Sequence, residues 1–219
     1  MADTKQLVQT SIASSADAVV YTTPVSKTTI LKEVTICNPS SVDVYFSMNI
    51  PSGEPGVSNA IFHDAYISAG QTNIIATSSV IPYGKFLYMK VDPVTTGGFL
   101  NILATGVELS GSSAKQLTTT LLSTDDGVAR YTVPALKTAV MYQAMFTNVS
   151  NAATTISMYI ASAGSPAATT TNCILSQIPI AVGETVIYES ATSLPTGSVI
   201  FAICGVNSAV NLTIDGTEK

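Results

Sequence analysis

Few side chains in this 219-residue chain could carry chemistry. There is one imidazole, His63, and Asp64 follows it directly. A His beside a carboxylate supplies the base and orienter of a nucleophilic triad, which also needs a serine on a sharp, ordered turn such as G-x-S-x-G. The sequence contains no such turn, so His63-Asp64 reads as a surface pair at a strand end. Asp125-Asp126 is the one adjacent pair of acids, and paired acids can hydrolyse glycosides. Gly127 follows them, so the pair reads as a turn, and no D-x-[DN]-x-[DN]-G loop supports calcium. Thr95-Thr96-Gly97-Gly98 lies between two expected strands. A phosphate loop needs a strand before it and a helix after it. Cys37, Cys173 and Cys204 are odd in number, lie in apolar runs and form no C-x-x-C pair. They read as small buried hydrophobes in a reducing compartment, with no zinc site. No catalytic, cofactor-binding or metal-ligating residue is assigned.

Six tyrosines, Tyr45, Tyr66, Tyr83, Tyr142, Tyr159 and Tyr188, could form stacking platforms for sugars. Tyrosine on a strand or at a subunit interface is the commoner explanation. The charge balance narrows the partners further. Nine Lys+Arg stand against fourteen Asp+Glu, for a net charge of −5. The basic residues are scattered singly, so nothing predicts nucleic-acid binding through a basic surface. Apolar residues make up 46% of the chain and charged residues 11%, which excludes a disordered class. The polar opening Met1–Gln6 and the lack of any apolar run of about 18 residues predict no secretory signal and no membrane span. The chain is expected to be made in a cytoplasm.

The elements that position these residues come from an internal repeat. Lys5-Gln6-Leu7 recurs as Lys115-Gln116-Leu117, an offset of 110. Tyr21-Thr22-Thr23-Pro24 matches Tyr131-Thr132-Val133-Pro134, Lys27 matches Lys137, and Asn38 matches Asn148. The offset then becomes 113, where Gly70-Gln71-Thr72 matches Gly183-Glu184-Thr185. It returns to 110 where Gly106 and Glu108 match Gly216 and Glu218. The second copy therefore has three extra residues near Ser162 to Thr171 and three fewer opposite Pro93 to Gly98. The boundary falls in Ser110-Gly111-Ser112-Ser113-Ala114, a small polar stretch read as a flexible linker. This gives domains at 1–110 and 111–219.

Within each copy the period is two. Val44, Phe46, Met48 and Ile50 fall on one face, with Asp43, Tyr45, Ser47 and Asn49 on the other. Ile156, Met158 and Ile160 repeat the pattern in copy two. Leu87, Met89 and Val91 correspond to Ile200, Ala202 and Cys204, and Leu100, Ile102 and Ala104 to Val210, Leu212 and Ile214. Side chains alternate across a strand, and turn signals recur about every 8–12 residues. The fold class is all-β: two tandem antiparallel β-sandwich (jelly-roll-like) domains of about seven or eight strands each. An immunoglobulin-like Greek key stays open as the alternative connectivity. Ser and Thr number 54, so outward strand positions are filled with hydroxyls rather than charges. Such edges have few charged residues to block pairing with a neighbour, which points to a homo-oligomer.

The run from Val20 to Pro39 resembles a small β-sandwich module of tailed-bacteriophage virion proteins. There, a Y-T-V-P strand end precedes a Lys-Thr turn and an I-x-x-I-x-x-x-N strand, followed by a G-x-T turn and a closing G-V-E strand. The corresponding residues are Tyr21–Pro24, Lys27-Thr28, Asn38, Gly70–Thr72 and Gly106–Glu108. Copy two shows Tyr131–Pro134, Gly183–Thr185 and Gly216–Glu218, with Val149 where copy one has Pro39. The resemblance implies a non-enzymatic virion structural protein, with capsid decoration the first place and neck or tail the second. It implies other virion proteins (major capsid, neck or tail) as partners, with no catalytic residue, cofactor, nucleic acid or membrane. Met1–Lys5 would be a short arm onto a neighbour. The rival readings are a glycan-binding receptor module that uses the tyrosines and a hydrolase that uses His63.

Overall fold

The period-two runs fold as strands throughout the computed structural model, which describes residues 4–13, 15–51, 53–93, 96–125, 127–164 and 167–219. The chain divides into two units, Met1–Ala114 and Lys115–Lys219. The first contains β1 (Lys5–Ile12), β2 (Ala18–Thr22), β3 (Lys27–Cys37), β4 (Val44–Asn49), β5 (Ala60–Ile67), β6 (Thr72–Ala76), β7 (Val80–Ile81), β8 (Phe86–Pro93) and β9 (Leu100–Ser110). The second contains β10 (Ala114–Leu121), β11 (Ala129–Thr132), β12 (Ala139–Asn148), β13 (Thr154–Ala161), β14 (Cys173–Ile180), β15 (Thr185–Leu194), β16 (Val199–Cys204) and β17 (Val210–Glu218). Among the described residues the helical elements are two short 3-10 turns, Val57–Asn59 and Thr170–Asn172.

Strand order settles the connectivity. The first unit has sheets β1-β9-β3-β6, with β7 also on β3, and β2-β8-β4-β5. The second has β10-β17-β12-β15 and β11-β16-β13-β14. Taken as eight strands in chain order, each unit pairs first-eighth-third-sixth in one sheet and second-seventh-fourth-fifth in the other. This is a jelly roll, two four-stranded antiparallel sheets face to face. In the first unit β6 and β7 occupy the place of the single strand β15. The three extra residues of copy two lie between β13 and Thr170–Asn172, a loop whose Ser165 and Pro166 are outside the described residues. The three missing ones lie between β16 and β17. The counterpart loop of copy one includes Val94 and Thr95, also outside the described residues.

The alternation buries the expected faces. Val44, Phe46, Met48, Leu87, Met89, Val91, Leu100, Ile102 and Ala104 are buried in the first unit. Ile156, Met158, Ile200, Ala202, Cys204, Val210, Leu212 and Ile214 join one core in the second. Each buried aliphatic or aromatic side chain contributes about 1.5–3 kcal/mol. Of the three cysteines only Cys204 reaches a core; Cys37 and Cys173 are half-buried, and all three are free thiols. Cys37 follows core-facing Ile36 on its strand, and Cys173 begins β14 in step with half-buried Leu175, so neither is fully enclosed.

Repeated sequence motifs recur as repeated contacts. Asn38 donates its amide to the carbonyls of Val42 and Ile67 and accepts from the Ser40 amide and hydroxyl. Asn148 does the same with Ala152, Ile180 and Ser150. The turn after each Tyr-Thr-x-Pro closes with the Lys27 N–H on the Pro24 carbonyl and the Lys137 N–H on that of Pro134.

The strongest shared contact involves a carboxylate on the last strand. Glu108 accepts from Lys5 Nζ at 2.8 Å and from the Tyr21 hydroxyl at 3.0 Å, and that hydroxyl also lies 2.8 Å from Thr29 Oγ1. Glu218 accepts from Lys115 Nζ at 2.6 Å and from the Tyr131 hydroxyl at 2.8 Å. Lys and Glu belong to one sheet and Tyr to the other, so the cluster ties the sheets together. Gly106 and Gly216 lie two residues before each Glu. A Cβ on Gly106 would stand 2.4 Å from the Ile30 carbonyl oxygen and 2.8 Å from Leu7 Cδ1. On Gly216 it would stand 2.2 Å from the Val140 carbonyl oxygen and 2.9 Å from Leu117 Cδ1. Backbone cannot yield there, so Gly106→Ala or Gly216→Ala should cost about 1–3 kcal/mol in urea unfolding. An unchanged midpoint would contradict this close approach.

The clusters also set a pH profile. Burial pushes Glu108 and Glu218 upward, but hydrogen bonds from Lys and Tyr outweigh it and hold both carboxyls below their ordinary 4.5. Their stabilisation is complete above that value and is lost as the pH falls through the lowered folded-state values. Burial and the Glu108 carboxylate raise Tyr21 from 10.0 to about 12, against the Thr29 hydrogen bond. Burial and Glu218 raise Tyr131 as well, and Ala139 stands where copy one has Thr29. Neutral tyrosine is thus favoured in the fold, and stability should fall as the pH rises from 10 toward 12. Tyr21→Phe and Tyr131→Phe should each lower stability by about 1–3 kcal/mol at pH 7 and flatten that alkaline limb. Thermal unfolding across pH 3–12 checks both limbs.

Candidate functional site

His63 and Asp64 lie on the outer face of the β2-β8-β4-β5 sheet. Pairing of β4 with β5 passes from Phe46–Ala65 to Met48–Phe62, so β5 carries one extra residue there. That β-bulge contains His63 and Asp64, and Asp64 takes a left-handed φ of 45°. Ser47 on β4 holds the bulge: its hydroxyl accepts the Asp64 N–H at 3.0 Å and donates to Asp64 Oδ1 at 3.1 Å. This explains why Ser47 is buried although it lies on the face away from the core.

His63, Asp64 and Ser47 are therefore neighbours, in an order that does not make a triad. His63 Nε2 lies 3.6 Å from Asp64 Oδ2, and the serine proton points to the same carboxylate. A base must reach the nucleophile oxygen directly. Here the carboxylate stands between the two, and the Ser47 oxygen is taken up by a backbone amide. Lys90 completes the cluster, 2.9 Å from Asp92 Oδ2 and 3.8 Å from Asp64 Oδ1. Burial lowers the Lys90 pKa, but Asp92 and Asp64 outweigh it and leave the ammonium above its ordinary value. Lys90 thus bridges the Asp64 and Asp92 carboxylates in a partly exposed ion-pair network.

The second unit keeps the bulge and changes its chemistry. Pairing of β13 with β14 passes from Ile156–Ile178 to Met158–Leu175, Gln177 has φ 49°, and its N–H donates to Ser157 Oγ at 2.9 Å. Ser176 and Gln177 stand in place of His63 and Asp64. On the neighbouring strand Ile203 and Gly205 stand in place of Lys90 and Asp92, as the pairings of Ser47 with Lys90 and Ser157 with Ile203 require. A groove of about 480 Å³ opens over this neutral face.

The other candidates fall elsewhere. The Asp125 carboxylate accepts the Gly127 N–H at 2.8 Å, an Asx turn, and Asp126 lies outside the described residues. Thr96-Gly97-Gly98 lies between strands β8 and β9, and Gly97 has φ 99°. Met1–Asp3 of the expected arm are outside the described residues. The tyrosines do not gather into one platform. The Tyr45 and Tyr66 rings meet at a tilt of 55° with centroids 5.4 Å apart, and Tyr66 donates to Asp43 at 2.6 Å. Tyr83 is exposed on a turn, and Tyr188 packs against a core. Tyr159 lines the groove. Sequence reasoning singled out the His63-Asp64 pair and missed both bulges. A left-handed aspartate or glutamine carries no compositional mark that separates it from an ordinary strand residue.

No protein-family model matches the chain, and no curated protein matches it. Among solved structures it is similar to the tandem CBM22 domains of Paenibacillus barcinonensis Xyn10C, with TM-score 0.26 and 8% identity over 90% of this chain and 80% of that one. It is similar to a fucolectin from striped bass (Morone saxatilis) serum, with TM-score 0.28 and 13% identity over 95% and 85%. A third similar structure is PNGF-II, with TM-score 0.35 and 9% identity over 92% and 59%. The jelly-roll assignment rests on the strand order of this chain and not on likenesses this weak.

If each serine holds its bulge, Ser47→Ala and Ser157→Ala should each cost about 1 kcal/mol, the worth of a buried hydrogen bond. Amide hydrogen exchange at Asp64 and Gln177 should speed up in the matching variant. Unchanged exchange at these amides would contradict the pin.

Proposed function

We propose that this chain is a non-enzymatic structural protein of a tailed-bacteriophage particle that self-assembles through uncharged β surfaces. Capsid decoration is the first place for it, and neck or tail the second. The observation that carries the reading is the chemistry of the sheet edges. β6 (Thr72–Ala76) and β14 (Cys173–Ile180) each end a sheet and contain no charged residue. Both hold isoleucines in solvent: Ile74 is 68% exposed and Ile174 43%. An open edge without lysine, proline kink or cover is a template for a strand of another chain. β14 has Pro179 near one end and the bulge at Ser176-Gln177 before it, which leaves Cys173–Leu175 as the edge segment. The jelly roll is an architecture of viral capsid domains and of lectins, and fold alone does not choose between them.

Repeated weak edge contacts gain avidity on a particle with many copies. The full chain should form a homo-oligomer in light scattering at micromolar concentration. Ile74→Lys or Ile174→Lys should shift it toward monomer without lowering the melting temperature. Immunogold labelling of the phage that encodes the chain tests the location. Label over the head supports decoration, and label at one end supports neck or tail. Absence of the chain from a denatured gel of purified particles overturns the virion reading.

A further inference from the structure

The groove on the outer face of the β11-β16-β13-β14 sheet falls within the size range of small-ligand pockets, at about 480 Å³. Thr155, Ser157 and Tyr159 alternate along its β13 side, with Gln177 and Ser176 from the bulge and Ile203 from β16. Among the described residues no Asp, Glu, Lys, Arg or His lines it. The first unit has the same bulge and the same serine, yet carries His63, Asp64, Lys90 and Asp92 at the matching positions. One backbone thus presents four ionisable side chains in one copy and four neutral residues in the other. A phosphate or carboxylate ligand would lose its hydration in this groove without a charged lining residue to replace it, because the nearby Arg130 guanidinium is held by the Ala202 carbonyl and the Ser123 hydroxyl.

The remaining groups fit a different class. Hydroxyls of Thr155, Tyr159, Thr170 and Ser176 each donate and accept, and the Gln177 amide offers two donors and an acceptor. The Ser157 oxygen already receives the Gln177 N–H, which fixes the amide-bearing residue in place. Tyr159 and Ile203 set an aromatic and an aliphatic surface among these polar groups. Gly205 keeps the floor low, because a Cβ there would approach Thr155 Oγ1 to 3.1 Å and Thr154 Oγ1 to 3.2 Å. Mixed donors and acceptors around a small apolar surface, without charge, complement a neutral ring that carries hydroxyls on its rim and C–H groups on its face. We propose that this groove is a binding site for a neutral saccharide, with Tyr159 under the sugar ring and Gln177 bonding its hydroxyls. The inference is independent of the assembly reading: a monomer that binds sugar leaves it standing.

The test uses the full chain and neutral trisaccharides of glucose, galactose, mannose and N-acetylglucosamine, by calorimetry and by NMR. At least one should bind saturably at one site per chain and shift the Gln177 side-chain amide and Tyr159 ring resonances. Tyr159→Ala should weaken binding by about tenfold or more, as loss of an aromatic contact does. Ile203→Lys, which restores the charge found at Lys90, should weaken it too. Tyr83→Ala, an exposed tyrosine of the other unit, should leave it unchanged. If Tyr159→Ala melts early, the Ile203→Lys variant and the wild-type resonance shifts decide. No binding by any trisaccharide at about 10 mM, a limit that already admits very weak affinity, would overturn the proposal. So would binding that survives both groove variants, or shifts that avoid Gln177 and Tyr159.

Discussion

In each half, one nearly buried carboxylate holds the sandwich closed. Glu108 and Glu218 lie at the end of the last strand, and each binds a lysine from the first strand and a tyrosine from the second. The first and last strands are neighbours in one sheet, while the second strand belongs to the other. A single side chain therefore fastens the start of the unit to its end and one layer to the other. Strand termini are where sandwiches open first, so a contact at this corner raises the cost of local unfolding. A carboxylate removed from water is tolerated only when paired and hydrogen-bonded. In a chain with nine basic residues, two are placed here. The glycine two positions earlier follows from the same constraint, because the last strand must pass close under a neighbouring carbonyl to bring Glu to its partners.

With that corner fixed, the opposite sheet can vary without loss of the fold. The β-bulge between the fourth and fifth strands is pinned in both units by a serine, whatever residue occupies the left-handed position. Aspartate there recruits Lys90 and His63 into a closed network. Glutamine there leaves a neutral face and an open groove. The backbone demands one hydroxyl and one residue tolerant of positive φ, and everything beyond Cβ is free. The corner contacts recur in both copies, and the outer face is where the two differ.

Much of this was legible in the sequence, and the reason is locality. Alternation over Val44–Ile50 needs only neighbouring residues to be read, and the buried set agrees with it. The offsets of 110 and 113 are reproduced by strand pairing, since Phe46–Val91 and Ile156–Cys204 are equivalent pairs. The repeated Lys5, Tyr21 and Glu108 stood out as matches, but their meeting depends on sheet order and spans 87 residues between Tyr and Glu. Likewise Ser47 reads as an exposed strand position until the bulge brings Asp64 over it. The half-buried Cys37 and Cys173 were hidden by the converse effect, as apolar neighbours gave no sign of which face each thiol takes.

The solitary histidine illustrates the limit of reading chemistry from residue type. His63 has an acid beside it and a serine nearby, yet the carboxylate accepts the serine proton and lies within ion-pair distance of the Lys90 ammonium. Reactive groups that satisfy one another leave little for a ligand. In the second unit the same backbone carries residues of low intrinsic reactivity, and their hydrogen-bonding capacity faces solvent. What the bulge leaves unsatisfied therefore differs between the copies: ionisable side chains in the first, neutral hydroxyl and amide groups in the second.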